Sequence, residues 1–264
     1  MGCDQHVHTT FSFDGKMAME EACDAAVRKG LSRLTFTEHF SVDPLDVSYG
    51  VLRYAAYRKA VRSCQKVYAG RLSIGCGLEI GEPHLAEHRQ ALDDAVRSME
   101  LDFIIGSIHN IGSVKMSLYK KGKGKDAIYA AYFQEVLQMV KTADIDVIGH
   151  MDLAKRYLFD TMGDYDLASY REVIAAILHE AIRRGIGIEV NTSGWRNSVG
   201  VSYPSLAVVS LYREMGGNYI TIGSDAHDAS AIGSDFERAK ELLQKVGFDS
   251  YTHYEKRVPH DVMM

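Results

Sequence analysis

The chain has 264 residues, 46% of them hydrophobic, enough to bury one substantial core, and residues 1–264 read as a single domain. Its formal net charge of −5 comes from 35 acidic and 30 basic residues with no long run of either sign, which argues against a nucleic-acid-coating surface and leaves room for a small anionic substrate. Cys3, Cys23, Cys64 and Cys76 form no close C-x-x-C pair, the amino terminus runs straight into Asp4, Gln5 and His6, and no apolar run reaches about 18 residues, so a cytoplasmic protein with reduced thiols and no membrane span is expected.

Seven short β-rich apolar runs recur, near 2–7, 33–37, 72–77, 102–106, 145–149, 187–190 and 219–222, each followed by a longer stretch with helical periodicity. That alternation predicts β-α units around a parallel sheet, an α/β fold. Residues 115–125, rich in Lys and Gly and without periodicity, read as a mobile loop beside a barrel mouth, where Lys115 and Tyr119 could close over a ligand. The best-marked helix follows the last strand: Ser234 and Glu237 have capping-box spacing, Ala239, Leu242, Leu243 and Val246 form an apolar stripe, and Gly247 suits the position after the cap.

Six of the eleven histidines, His6, His8, His39, His109, His150 and His227, fall at or just beyond predicted strand C-termini, together with Asp14, Glu79 and Asp225. In a β/α barrel those strand ends converge on one face, so residues distant in sequence meet there. His6 and His8 are two apart, which puts both rings on one side of a strand, and Asp225 and His227 repeat the spacing. Singly, each could cap a strand. Together they would form a costly buried polar cluster unless they hold metal, and a set of imidazole nitrogens and carboxylate oxygens suits zinc, iron or manganese.

Arg156, soon after His150, and Arg196, within 191–201, are candidates for a phosphate, whose oxygens a guanidinium fork can engage in pairs; a solvated or loop-bracing arginine is the alternative for each. Trp195, the single tryptophan, either stacks on a substrate ring or plugs its loop against the barrel. His84 and His88, four apart on an expected helix, and His253 and His260 near the carboxyl terminus read as surface residues.

The segments D-x-H-x-H-T-x-F-S-x-D-G at 4–15, T-E-H at 37–39, G-L-E at 77–79, G-S-I-H at 106–109, G-H-x-D at 149–152 and G-S-D-A-H at 223–227, in this order, resemble the polymerase and histidinol phosphatase (PHP) family. The compact length and G-W-R at 194–196 resemble its stand-alone histidinol-phosphatase branch. The resemblance implies a distorted seven-stranded, TIM-like (β/α) barrel with three divalent ions. His6, His8, Glu79 and Asp225 would hold one, Glu79, His109 and His150 a second, and Asp14, His39 and His227 a third. It also implies hydrolysis of a small phosphorylated substrate, foremost L-histidinol phosphate in histidine biosynthesis, by a metal-bridging hydroxide, with Asp225 or His227 carrying the proton to the leaving oxygen. A nucleotide or cyclic phosphodiester as substrate, and a non-catalytic module, are the alternatives. The first separates by a substrate panel, and the complete ligand set argues against the second.

Overall fold

The computed structural model describes residues 2–264. Its strands are β1 (Gly2–Val7), β2 (Leu31–Phe40), β3 (Ser73–Gly81), β4 (Phe103–Ser107), β5 (Asn110–Ile111), β6 (Val114–Lys115), β7 (Val147–Ile148), β8 (Gly187–Asn191), β9 (Ile220–Gly223), β10 (Ser250–Glu255) and β11 (Val258–Met263). The helices are α1 (Met19–Arg28), α2 (Tyr54–Val67), α3 (Arg89–Arg97), α4 (Met116–Tyr119), α5 (Lys125–Thr142), α6 (Ala154–Met162), α7 (Leu167–Arg184), α8 (Leu206–Glu214) and α9 (Phe236–Lys245). Among the described residues no helix is long and apolar enough to cross a membrane.

Seven strands pair in parallel in the order β1-β2-β3-β4-β7-β8-β9. The two ends of the sheet meet at a bridge between Val7 and Ala226, where the His8 amide donates to the Ala226 carbonyl at 2.9 Å, leaving a barrel that is nearly closed. All seven expected strands are present. Their interiors are buried almost throughout, as parallel strands covered by helices require.

β1 carries one more residue between Asp4 and Val7 than β2 does between Leu34 and Phe36. This bulge lets Gln5 reach down to the Thr252 carbonyl while the neighbouring His6 reaches Glu189.

The helices follow their sequence signals to different degrees. In α7 the Asp166 side chain caps the Ala168 amide, Tyr170, Ile174, Ile177, Leu178 and Ala181 form the buried stripe, and Gly185 closes the helix with φ +71°. In α9 the expected capping box is absent: the N-cap is Asp235 in a left-handed conformation, and the Ser234 hydroxyl bonds the Ser230 carbonyl instead. Its far end is as read, with Gly247 at φ +86° and the paired bonds Phe248 N–H to Leu243 and Gly247 N–H to Gln244 of a Schellman motif.

Both ends of the barrel depart from the expected layout. The 115–125 stretch is not an open loop. It finishes the β5-β6 hairpin, forms α4 and enters α5, and its lysines bond carbonyls, Lys120 to Tyr157 at 2.7 Å and Lys125 to Asp164 at 3.0 Å. The β10-β11 hairpin, which no sequence signal marked, lies under the barrel, where Tyr254 stacks on Phe103 at 5.0 Å between ring centres. His260 is exposed as expected, while His253 is only partly so.

Candidate metal centre

Glu79, at the end of β3, sits at the middle of the mouth. Its Oε1 lies 2.8 Å from His150 Nε2 and 3.3 Å from His109 Nε2 and accepts the Ser107 hydroxyl at 2.6 Å. Its Oε2 lies 3.3 Å from both His6 Nε2 and His8 Nε2 and 3.0 Å from His39 Nδ1. Asp225 Oδ1 is 3.8 Å from His6 Nε2, 3.6 Å from His8 Nε2 and 3.6 Å from His227 Nδ1. The Asp14 carboxylate bridges His39 at 3.5 Å and His227 at 3.2 Å. The structure therefore brings all nine residues singled out as ligands to one focus at the strand C-termini.

Supporting residues orient the rings. Glu189 Oε1 is 2.6 Å from His6 Nδ1, and Oε2 accepts the His150 amide at 2.8 Å. Gly223 makes room for this pair, since a Cβ there would stand 2.0 Å from Glu189 Oε1. Glu38 accepts the Thr9 and Ser12 hydroxyls, each at 2.6 Å, and the Ser12 oxygen in turn takes the His39 amide at 3.0 Å and faces His8 Nδ1 at 3.3 Å. Glu82 accepts the amide of Asn110 at 2.7 Å and fixes the turn that carries His109. These three glutamates were missed from the sequence. Glu189 had a signal, a single acid inside the apolar strand G-I-E-V-N, where burial demands a partner.

The backbone is strained where the ligands emerge: Glu82, His150 and Asp225 hold φ of 44°, 24° and 53°. The electrostatics are those of a cluster in which carboxylates and imidazoles balance one another. Burial pushes Glu79 up, but the His6, His39 and His109 rings outweigh it and hold the carboxyl well below its usual range. Burial likewise raises Asp225, yet His6 and Arg156 bring it well below normal. Burial lowers His39, and Glu79 and Asp14 reverse this, raising it to about 10. His8, buried and facing the His39 and His227 rings, is driven well below 6.5.

The donor set fits a metal. His6 Nε2, His8 Nε2, Glu79 Oε2, Asp14 Oδ1 and His150 Nδ1 are buried and have no hydrogen-bond partner among the described residues. Donor atoms of His6, His8 and Asp225, of His6, Glu79 and His150, of His39, Glu79 and His109, and of His8, His39 and His227 each lie within 4.8 Å of one another. With no sulfur in any group, nitrogen- and oxygen-preferring divalent ions suit them.

The centre opens into a cavity of about 210 Å³ lined in addition by Phe13, Asp46, Lys115, Arg156 and Tyr157. Arg156 is held by Asp225 Oδ2 at 3.0 Å and the Ser193 hydroxyl at 2.8 Å. Arg196 stands beside the cavity and outside its lining, bonded to Thr192 Oγ1 at 3.0 Å and to the Ser224 carbonyl, with Asp235 at 3.5 Å. Trp195 lies outside the lining too, under the Arg238 guanidinium at 4.7 Å, so it packs its loop and makes no wall of the cavity. His84 and His88 do not extend the centre. His84 is not a surface residue, its ring being buried against Glu135 at 2.5 Å, and His88 faces Asp43 at 3.4 Å.

Residues 4–193 match the PHP domain. The chain belongs to the PHP family. It is 29% identical over 261 residues to a protein of Clostridium acetobutylicum named as a probable histidinol-phosphatase, covering 97% of each chain. It is 26% identical to the histidinol-phosphatase of Lactococcus lactis, with 93% of this chain and 91% of that one aligned. Among solved structures, the L. lactis histidinol phosphate phosphatase, complexed with zinc, L-histidinol and phosphate, superposes over 98% of both chains with a TM-score of 0.88 at 23% identity. That likeness places this PHP chain in the same barrel fold.

Proposed function

We propose that this PHP protein is a metal-dependent phosphomonoesterase that hydrolyses L-histidinol phosphate to L-histidinol and phosphate. The observation that carries it is the focus of unpartnered imidazole nitrogens and carboxylate oxygens at the floor of a small cavity that also holds Arg156. The names of the relatives, which align over nearly the whole chain, point to the same ester.

Three divalent ions, zinc, iron or manganese, are assigned to His6, His8, Glu79 and Asp225; to Glu79, His109 and His150; and to Asp14, His39 and His227. The spans of Glu79 and Asp14 between rings support this division. Such ions make a hydroxide available near neutral pH and neutralise the phosphoryl oxygens and the departing alkoxide. Arg156, its Nη2 held by Asp225 and Ser193, receives a phosphoryl oxygen with its remaining N–H groups, and Arg196 adds a second cation on exchanging Asp235 for the phosphate. The His227 Nδ1–H is held by the Asp225 carbonyl at 2.9 Å, which directs the bare Nε2 towards the centre. Asp225 is then the group left to move a proton from the attacking water to the leaving oxygen, with Arg156 and the Ser193 hydroxyl fixing its carboxylate through Oδ2.

The test is phosphate release by manganese-, zinc- and iron-loaded protein from L-histidinol phosphate, nucleotides, sugar phosphates and a cyclic phosphodiester. A kcat/KM for L-histidinol phosphate orders of magnitude above the rest is expected. Weak turnover of it beside strong turnover of another ester overturns the substrate assignment and leaves the metal chemistry standing.

A further inference from the structure

The cavity is lined by four carboxylates, Asp14, Asp46, Glu79 and Asp225. Three of them face imidazole rings or Arg156 within the centre. Asp46 does not: among the described residues no Lys, Arg or His nitrogen lies within 4.0 Å of it, and the nearby Asp43 is the one that takes His88. Lys115, the uncommitted cation of the lining, has no carboxylate within that distance either.

Asp46 is nevertheless held still. Oδ1 accepts the Ser48 amide at 2.8 Å and the Ser48 hydroxyl, and Oδ2 accepts the Asn110 side-chain amide at 3.1 Å. Neutral donors fix its direction and leave its charge unmatched, and Oδ2 keeps accepting capacity towards the cavity. A half-buried carboxylate with fixed orientation and no counter-ion is a preorganised receptor for a cation. The same cavity is lined by two aromatic rings, Phe13, which stacks on His39 at 5.1 Å between ring centres while remaining 45% exposed, and Tyr157. The cavity thus offers metal ligands and Arg156 to an anion, an unmatched carboxylate at Asp46 to a cation, and two aromatic rings to an organic part.

We infer that Asp46 is a specificity residue that pairs with the ammonium group of the substrate, selecting phosphomonoesters whose leaving alcohol carries a protonated amine. This rests on the phosphomonoesterase reading above and adds to it the residue that distinguishes one leaving alcohol from another. The volume of about 210 Å³ admits a single small ester, and Asp46 and Arg156 line the same cavity.

The test compares metal-loaded wild-type protein with Asp46→Asn and Asp46→Glu on L-histidinol phosphate, its N-acetyl derivative and p-nitrophenyl phosphate. In the wild type, acetylation of the amine is expected to lower kcat/KM roughly 10- to 100-fold, the size of a lost charged hydrogen bond. In Asp46→Asn the two esters should converge to within about threefold, because the two changes remove one shared contact. Asp46→Glu, which keeps the charge, should retain part of the discrimination. Equal discrimination in wild type and Asp46→Asn overturns the inference, as does a wild type indifferent to acetylation or a Glu variant no better than the Asn variant. No turnover of L-histidinol phosphate by the wild type beside rapid turnover of p-nitrophenyl phosphate overturns the substrate reading itself, and this inference with it.

Discussion

The two ends of the barrel handle buried polarity in opposite ways. At the C-terminal mouth, His6 Nε2, His8 Nε2 and Glu79 Oε2 are buried without partners, and three non-glycine residues hold positive φ. At the other end the side chains that tie the hairpin to the barrel are answered, His253 Nδ1 on β10 being the buried atom without a partner. Gln5 donates to the Thr252 carbonyl at 2.6 Å and accepts the Tyr254 amide at 2.9 Å. Asp102 takes the Cys76 and Lys256 amides at 2.9 and 3.1 Å, and Asp146 takes the Ile104 amide at 2.8 Å with Arg257 beside it. Unanswered buried polar atoms are costly and mark where a ligand is to be bound, whereas answered ones hold the fold together.

Five substitutions test whether the division is real. The largest effect is expected of Glu79→Gln, which should cut phosphate release roughly 10³-fold, about 4 kcal/mol of transition-state stabilisation, and lower metal content while the circular dichroism stays native. Near-normal turnover and metal content would refute its place at the centre. Tyr254→Ala at the opposite end should lower unfolding free energy by about 3 kcal/mol or more in denaturant titrations, with metal content and kcat of the folded protein unchanged. A comparable loss of kcat at low temperature would mean that the ends are coupled.

Glu189→Gln lies between these poles, since it orients His6 and bonds the His150 amide. It should weaken metal binding and activity roughly 10- to 100-fold, read by metal titration and rates at saturating metal. The smallest effects belong to the arginines. Arg156→Ala should raise KM about tenfold and Arg196→Ala by less, because Arg156 already lines the cavity and Arg196 must first leave Asp235. The reverse order of KM effects would show that the loop carrying Arg196 rearranges around substrate.

Much of the mouth was legible because its residues occur where strands end. The glycine-flanked acid of G-L-E and the histidine of G-S-I-H stand at the ends of β3 and just beyond β4, and the sheet order brings those ends together without further information. The hairpin was not legible. Its two-residue turn, Lys256-Arg257, has φ of 50° and 63°, a geometry ordinarily announced by Asn-Gly or Asp-Gly. Here Asp102, Asp144 and Asp146 hold the turn through the Lys256 amide and the Arg257 guanidinium, partners contributed by the loops before β4 and β7. Residues 115–125 misled for a related reason, since Lys120 and Lys125 look solvated in sequence and find carbonyls only once α6 and the loop after it are in place.

By itself the sequence determined the seven strands, their parallel arrangement and the nine candidate ligands, because hydrophobic period and strand-end position are local properties. The tertiary structure alone decided which groups touch. Glu189 meets His6 across 183 residues, Asn110 turns Asp46 towards the cavity across 64, and Arg196 is tied to Ser224 and Asp235. Contacts of that kind depend on where the barrel closes and on which loops meet above it, and short-range pattern carries no record of either.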